Sequence, residues 1–273
     1  MITIVTDSTA YIQKAYAESN RIKVLKILLD FDGLVVREGF PGEFEQYYTL
    51  LEKSKEFPKT SQPPIGEFVE IFQNEMDAGN EVIAIMVSSK TSGTYNTALM
   101  ASHMVNGEAI SVIDSETSGA NLKVLVERAN ELAKDGKSRE DIIKIIEIEK
   151  KRMSVNMTFE TLDYIEKAGR LTHSKKIIVD LLHIKPIIGV EDGFIKIVGR
   201  ARGKNQAIKH MIKDIHPDAK IINVCYIMNP EEATEIKEKI ESLFPHAIVD
   251  IQEVGPSLGI MFGPRAIGIL CAW

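Results

Sequence analysis

Val82-Ile83-Ala84-Ile85-Met86-Val87 runs straight into Ser88-Ser89-Lys90-Thr91-Ser92-Gly93-Thr94, and this stretch decides the fold. Six consecutive apolar residues suit a strand buried on both faces, and the hydroxyl-rich segment behind them suits a loop that opens a helix, here reaching about Met104. The same grammar recurs on either side. Ile2–Val5 is a short apolar strand followed by Thr6-Asp7-Ser8-Thr9, and Ala109–Ile113 ends in Asp114-Ser115 before a helix through Leu122–Lys134. Lys23–Leu29 reads as a further strand. Thr60-Ser61-Gln62-Pro63-Pro64 reads as a loop whose prolines start a helix near Ile65–Ala78. Buried strands alternating with helices predict a doubly wound parallel sheet covered on both faces. Its strand exits share one edge, where Asp7-Ser8, Ser88-Ser89 and Asp114-Ser115 converge.

The lysine-rich helix from Ser138 to Arg152 reads as the connection to a second unit. Val155–Glu160 is strand-like, and Lys185–Val190 and Phe194–Val198 flank the hairpin signal Glu191-Asp192-Gly193. Lys204–Ile215 and Pro230–Leu243 have helical periodicity, while Ile221–Ile227, Ala247–Ile251 and Ile267–Ala272 read as strands. The expected fold class is therefore α/β: an N-terminal doubly wound parallel-sheet domain, residues 1–153, and a C-terminal α+β domain with a partly antiparallel sheet, residues 154–273. The loop near 58–75 is expected to have the option of packing with the second domain.

Composition narrows the function classes. The chain has 273 residues, 44% hydrophobic and 26% charged, which is ordinary for a globular protein and too apolar for disorder. Lys and Arg number 33 against 39 Asp and Glu, a net charge of −6, so broad nucleic-acid binding is not expected. Residues 163–213 nonetheless carry eleven Lys or Arg against five Asp or Glu, a local excess that is either solvated surface or a face for an anionic partner or lipid head groups. Cys225 and Cys271 sit in apolar strands, which argues against a disulfide framework. Asp7 interrupts the first apolar run before a secretory core could form, and Gly255–Trp273 has four glycines and two prolines where a membrane span would need a continuous helix. A cytoplasmic location is expected.

No Walker A motif, Gly-x-Ser-x-Gly elbow or His-Glu-x-x-His occurs, and the six histidines show no metal-ligand spacing. No cofactor or metal is expected. Asp30-Phe31-Asp32-Gly33 lacks the later ligands of a calcium loop and reads as a turn. The Ser88–Thr94 segment offers hydroxyls, a glycine and a helix start, which together favour an anion. Neither it nor Thr60-Ser61-Gln62 places a base beside a nucleophile, so these hydroxyls read as hydrogen-bond donors. A non-enzymatic role follows. A phosphoryl-transfer or hydrolytic enzyme acting on a small anion at the Ser88–Thr94 rim stays open as the alternative, and an interaction module built on the positive 163–213 segment as a third.

Taken together the residues resemble the DegV family, bacterial fatty-acid-binding proteins that present acyl chains to a fatty acid kinase. The resemblance rests on eight segments in order. In the first half they are Ile4–Ala10, Thr60-Ser61-Gln62-Pro63, Ser88–Asn96 and Val112-Ile113-Asp114-Ser115. In the second half they are Gly169-Arg170-Leu171-Thr172, Leu181–Pro186, Arg202-Gly203 with Ala207-Ile208, and Gly263-Pro264. The resemblance implies a two-domain protein with a long-chain fatty acid between its domains, its carboxylate at the interface. By motif position Thr60 and Ser92 match the carboxylate-binding hydroxyls, with Ser61 and Gly93 beside them, and Arg202 matches an arginine linked to kinase engagement. Transient contact with a membrane surface is part of the same expectation.

Two departures stand out. The family usually reads His-x-Gly-Pro-Gly near its end, where this chain reads Met261-Phe262-Gly263-Pro264-Arg265. A thioether cannot donate the hydrogen bond that the histidine would, and Arg265, at a glycine position, is a candidate for a charge-assisted replacement. Pro64 stands where serine is frequent.

Overall fold

The computed structural model describes residues 1–105, 107–171 and 184–273, at Glu52 the main chain only. Thr172 and Leu181-Leu182-His183, named above, lie outside the described residues, as does His173, one of the six histidines. The chain divides into two compact units: Met1–Lys151 with Gly255–Ser257, and Arg152–Val254 with Leu258–Trp273.

The first unit is built on a parallel four-stranded sheet. Its elements are β1 (Ile2–Asp7), a 3-10 turn at Ser8–Ala10, α1 (Lys14–Ser19), β2 (Lys23–Leu25), β3 (Leu28–Phe31), β4 (Leu34–Arg37), α2 (Glu45–Lys53), β5 (Lys59–Ser61), α3 (Ile65–Asp77), β6 (Glu81–Met86), α4 (Thr94–Met104), β7 (Ile110–Asp114), α5 (Gly119–Lys134) and α6 (Arg139–Glu149). The sheet order is β2-β1-β6-β7, and β1 pairs in parallel with β2 and β6, as β6 does with β7. The apolar runs of β1 and β6 are buried, Ile2 excepted: Val5, Val82, Ala84 and Met86 pack with Phe68 and Phe72 of α3 and Ala98 and Ala101 of α4, and α5 lies against both strands as well.

Two expectations are corrected here. The 23–29 run is not one strand. β2 stops at Leu25, the Ile27 N–H turns to the Ser8 hydroxyl at 3.0 Å, and the chain restarts as β3 in a separate antiparallel sheet of order β4-β3-β5. The 60–64 segment is not wholly loop either, because Lys59–Ser61 is an edge strand of that second sheet, with Thr60 opposite Leu29. Asp32-Gly33 closes the β3–β4 hairpin with φ of 53° and 89°, the left-handed pair that a two-residue turn of type I′ requires.

The second unit carries β8 (Met153–Thr158), α7 (Asp163–Ala168), β9 (Ile184–Glu191), β10 (Phe194–Arg202), α8 (Lys204–Lys213), β11 (Ile221–Tyr226), α9 (Pro230–Leu243), β12 (Ile248–Glu253), all of α10 (Pro256–Phe262) but its first two residues, and β13 (Ile267–Ala272). Its sheet has the order β10-β9-β8-β13-β11-β12, antiparallel except for β11 with β12. The second half is thus α+β with a mixed sheet, as its alternation of hairpin and helix signals predicts. Ala207, Met211 and Ile212 of α8 and Ala233, Ile236 and Ile240 of α9 form one core with Val224 and Ile269 of the sheet. Both helical stripes therefore pack inward.

Candidate functional site

Parallel pairing puts the exits of β1, β6 and β7 on one edge, and the echoing Asp-Ser pairs have a structural task there. Asp7, fully buried, accepts from the Val87 N–H at 2.8 Å through one oxygen, and from the Thr9 N–H at 3.0 Å and the Thr9 hydroxyl at 2.5 Å through the other. Asp114 accepts from the Ser89 N–H at 3.1 Å and the Glu116 N–H at 3.0 Å. The exit of β6 is gripped from both neighbouring strands. Burial raises the Asp7 carboxyl above its ordinary range, and these bonds work against that rise.

Within the gripped loop, the Thr91 and Ser92 N–H groups both donate to Ser88 O at 3.1 Å, and the Lys90 N–H donates to Ser88 Oγ at 3.2 Å. Ser92 Oγ accepts from the Thr94 N–H at 3.3 Å and lies 2.8 Å from Thr94 Oγ1. Ser92 is thereby held, half-buried, at the mouth of α4.

The second motif reaches this loop through Gln62. Its Nε2 donates to Thr97 Oγ1 at 2.7 Å, and Thr97 Oγ1 in turn donates to Gly93 O at 3.2 Å. A Cβ on Gly93 would sit 1.9 Å from Gln62 Oε1, so the glycine lets the amide lie against the loop backbone. The structure therefore brings Gln62, the last residue of the Thr60-Ser61-Gln62 motif, against Gly93. Among the described residues neither the Thr60 nor the Ser61 hydroxyl has a hydrogen-bond partner; Thr60 is half-buried and Ser61 exposed. Gln62 received no role from sequence reasoning, although it stands inside a motif already singled out. The Asp-Ser echo was the signal that could have found the bracing carboxylates.

Met261, Arg265 and Arg202 belong to the second unit. Met261 is buried in α10. Behind it, Gly263 has φ 77°, and a Cβ there would lie 2.5 Å from the Tyr164 ring. Arg265 has φ 60°, the left-handed conformation in which glycine costs least, which is the physical reason glycine suits this position. Its N–H donates to Ile227 O at 3.0 Å and its carbonyl accepts from Lys204 Nζ at 2.8 Å, while the side chain is exposed. The arginine charge is felt by Glu160, whose carboxyl is held below its ordinary range chiefly by the bond from Lys185, with Lys204 and Arg265 adding to the effect. Arg202 is exposed at the end of β10 and forms no ion pair among the described residues. Part of the positive 163–213 segment is neutralised locally: Lys185 meets Glu160 at 2.6 Å, Lys196 meets Glu191 at 2.8 Å and Lys204 meets Glu232 at 2.6 Å.

Among the described residues no cluster of three or more His, Cys, Asp or Glu is arranged to hold a metal ion, and no helix is long and apolar enough to cross a membrane.

A family model described as an uncharacterised protein of the DegV family matches residues 1–272. The DegV protein of Bacillus subtilis is 32% identical over 274 residues, spanning 98% of each chain. A DegV domain-containing protein of Staphylococcus aureus strain N315 is 32% identical over 272 residues, 98% of this chain and 97% of that one. Among solved structures, that of DegV, a fatty acid binding protein from Bacillus subtilis, superposes with a TM-score of 0.90 at 32% identity, covering 100% of this chain and 99% of the other. A stearic-acid-binding protein from Eubacterium ventriosum gives 0.87 at 25% identity, covering 100% and 98%. A fatty acid binding DegV family protein from Streptococcus agalactiae, 23% identical, shares the fold at 0.92 with coverage of 100% and 98%. The whole-chain match and the shared architecture lead to one conclusion: the chain belongs to the DegV family.

Proposed function

We propose that this protein is a non-enzymatic carrier that binds one long-chain fatty acid, with the carboxylate taken by the hydroxyls of Thr60 and Ser92, and presents it to a fatty acid kinase. The observation that supports the reading is the Gln62 junction: Gln62, in the same motif as Thr60 and Ser61, donates to Thr97 and lies against Gly93, while the Thr60 and Ser61 hydroxyls have no partners among the described residues. The fatty-acid-binding relative from Bacillus subtilis, 32% identical, supports the ligand class. Kinase presentation rests on the family resemblance, in which Arg202 takes the partner-facing place, and so does brief contact with a membrane surface to exchange cargo.

The energetics suit this division of labour. Each buried methylene contributes about 0.8 kcal/mol, so a chain of about sixteen carbons gains on the order of 10 kcal/mol before the costs of binding. A hydrogen bond to a carboxylate adds about 1.5–3 kcal/mol. The acyl chain sets affinity, and the hydroxyls set where the head group sits. Met261 then leaves a working site with one donor fewer than the family's histidine would supply.

Stearate titration of the delipidated protein tests the head-group assignment. Combining Thr60→Val with Ser92→Ala should weaken binding by about 100-fold or more, and Met261→His should tighten it. Wild-type affinity in the folded double variant would remove Thr60 and Ser92 from the site. A kinase that phosphorylates the cargo of wild type and of Arg202→Ala equally well would remove Arg202 from the partner surface.

A further inference from the structure

Three hydrogen bonds fasten the root of the Ser88–Gly93 loop to the turn that follows β7. The Ser88 N–H donates to Thr117 O at 2.9 Å, the Ser89 N–H to the Asp114 carboxylate at 3.1 Å, and the Ser115 N–H to Met86 O at 3.1 Å. Inside the turn, Ser115 Oγ donates to Thr117 O at 3.1 Å and accepts from the Thr117 N–H at 3.2 Å, and the Asp114 carboxylate also takes the Glu116 N–H at 3.0 Å. Glu116 stands at φ 56°, a conformation that a non-glycine residue keeps where its surroundings impose it. The platform under the loop is thus strained, and the strain needs a hold from outside the turn.

That hold comes from Lys150, at the C-terminal end of α6. Its side chain is 5% exposed, and its ammonium donates to Asp114 O at 2.9 Å and meets Glu116 at 3.1 Å and Glu147 at 2.9 Å. Three acceptors thereby match the three donors of an ammonium group. Burial works to lower its pKa, but the bonds to Glu147 and Glu116 outweigh burial and hold it above its ordinary value. Two of the three ties end on the turn: one on the main chain of Asp114, whose carboxylate holds Ser89, and one on the side chain of Glu116. Every residue in this chain of contacts, Ser92 included, belongs to the first unit.

We propose that Lys150 is a positioning residue for Ser92: from the end of α6 it fixes the turn after β7, and through that turn the loop that carries the Ser92 hydroxyl. Its bearing on the lipid rests on the reading of Ser92 given above and extends that reading to a residue that touches no ligand.

The test pairs amide hydrogen exchange of the lipid-free protein with stearate titration of the same preparation. In Lys150→Met, exchange across Ser88–Ser92 should be about tenfold faster, while Ile83–Met86 of β6 stays within about twofold of wild type. Stearate affinity should fall about fivefold, and less than about twofold when Ser92→Ala is already present, because a loop without its hydroxyl has nothing left to position. A folded Lys150→Met with wild-type loop exchange overturns the proposal. So does a stearate affinity that is unchanged, or that falls equally with and without the Ser92 hydroxyl, since a merely structural lysine would give an additive loss. Should Lys150→Met fail to fold, Glu116→Ala removes one tie from a part-exposed position and should speed loop exchange about threefold; wild-type exchange there overturns the proposal. If wild type binds no stearate, the fatty-acid reading falls, and loop exchange still decides whether Lys150 holds Ser92. If wild type binds stearate and the losses add, only the inference falls.

Discussion

The Ser88–Gly93 loop and the Gly263-Pro264-Arg265 turn are held in opposite ways. The loop is braced by carboxylates that end the neighbouring strands, so its geometry follows from the register of a parallel sheet: Asp7 grips Val87 and Asp114 grips Ser89. The turn is braced by a lysine from the start of α8 reaching a carbonyl, and it carries an arginine in a left-handed conformation. Buried acceptors serving backbone N–H groups leave little freedom to substitute, because each lost acceptor strands a donor. A turn fastened through its main chain can change an exposed side chain at modest cost, and here Arg265, exposed, stands where the family usually has glycine.

That contrast can be broken most forcefully at Asp7. Asp7→Ala strands the Val87 and Thr9 N–H groups in the interior and should cost about 3 kcal/mol in chemical denaturation, against about 1 kcal/mol for Asp114→Ala at its less buried position. Equal costs would mean that the loop is not held asymmetrically.

A smaller effect comes from Lys26 in the same unit. Its Nζ sits 3.1 Å from the centroid of the Phe40 ring, with no hydrogen-bond partner among the described residues. Burial lowers its pKa from 10.5 to about 8, although Glu38 and Glu43 pull it upward and Lys14 adds to the fall. Between those two values the unfolded chain holds a proton that the folded chain has released, so stability should rise with pH across that window. Lys26→Met should abolish the rise and stabilise the protein at pH 7 by about 1 kcal/mol, once solvent screening of this part-exposed side chain is allowed for. A pH profile unchanged by the substitution would show that the ammonium is solvated in solution.

The smallest change sharpens the comparison at the turn. Arg265→Gly relieves a left-handed non-glycine residue and should raise stability by about 0.5 kcal/mol, read as a small upward shift in melting temperature. A loss of stability would mean that the arginine side chain is fastening the turn after all.

The parallel sheet was legible because Val82–Val87 is buried on both faces and so reads as an unbroken apolar run. The antiparallel sheet was not, because Lys23–Leu29 looks continuous while the chain leaves the first sheet at Lys26 to satisfy a side chain, Ser8, that lies far away in sequence. Asp192-Gly193 and Asp32-Gly33 are the same turn, each with both residues at positive φ. Only the former was read as a hairpin, since β4 is short and the alternation beyond Asp32-Gly33 is weak. α10 escaped notice because Pro256–Phe262 has no polar face to reveal a period. At the site, the two hydroxyl motifs were visible separately. Their meeting through Gln62 and Gly93 is a tertiary contact between residues 31 positions apart, which no local pattern encodes.

Organic extraction of the natively purified protein, followed by mass spectrometry of the extract, bears most directly on the carrier reading. One long-chain fatty acid per chain is the expected result, with the yield falling sharply when Thr60→Val and Ser92→Ala are combined. A folded wild-type protein that yields no acyl lipid, and takes up none when offered stearate, would contradict it.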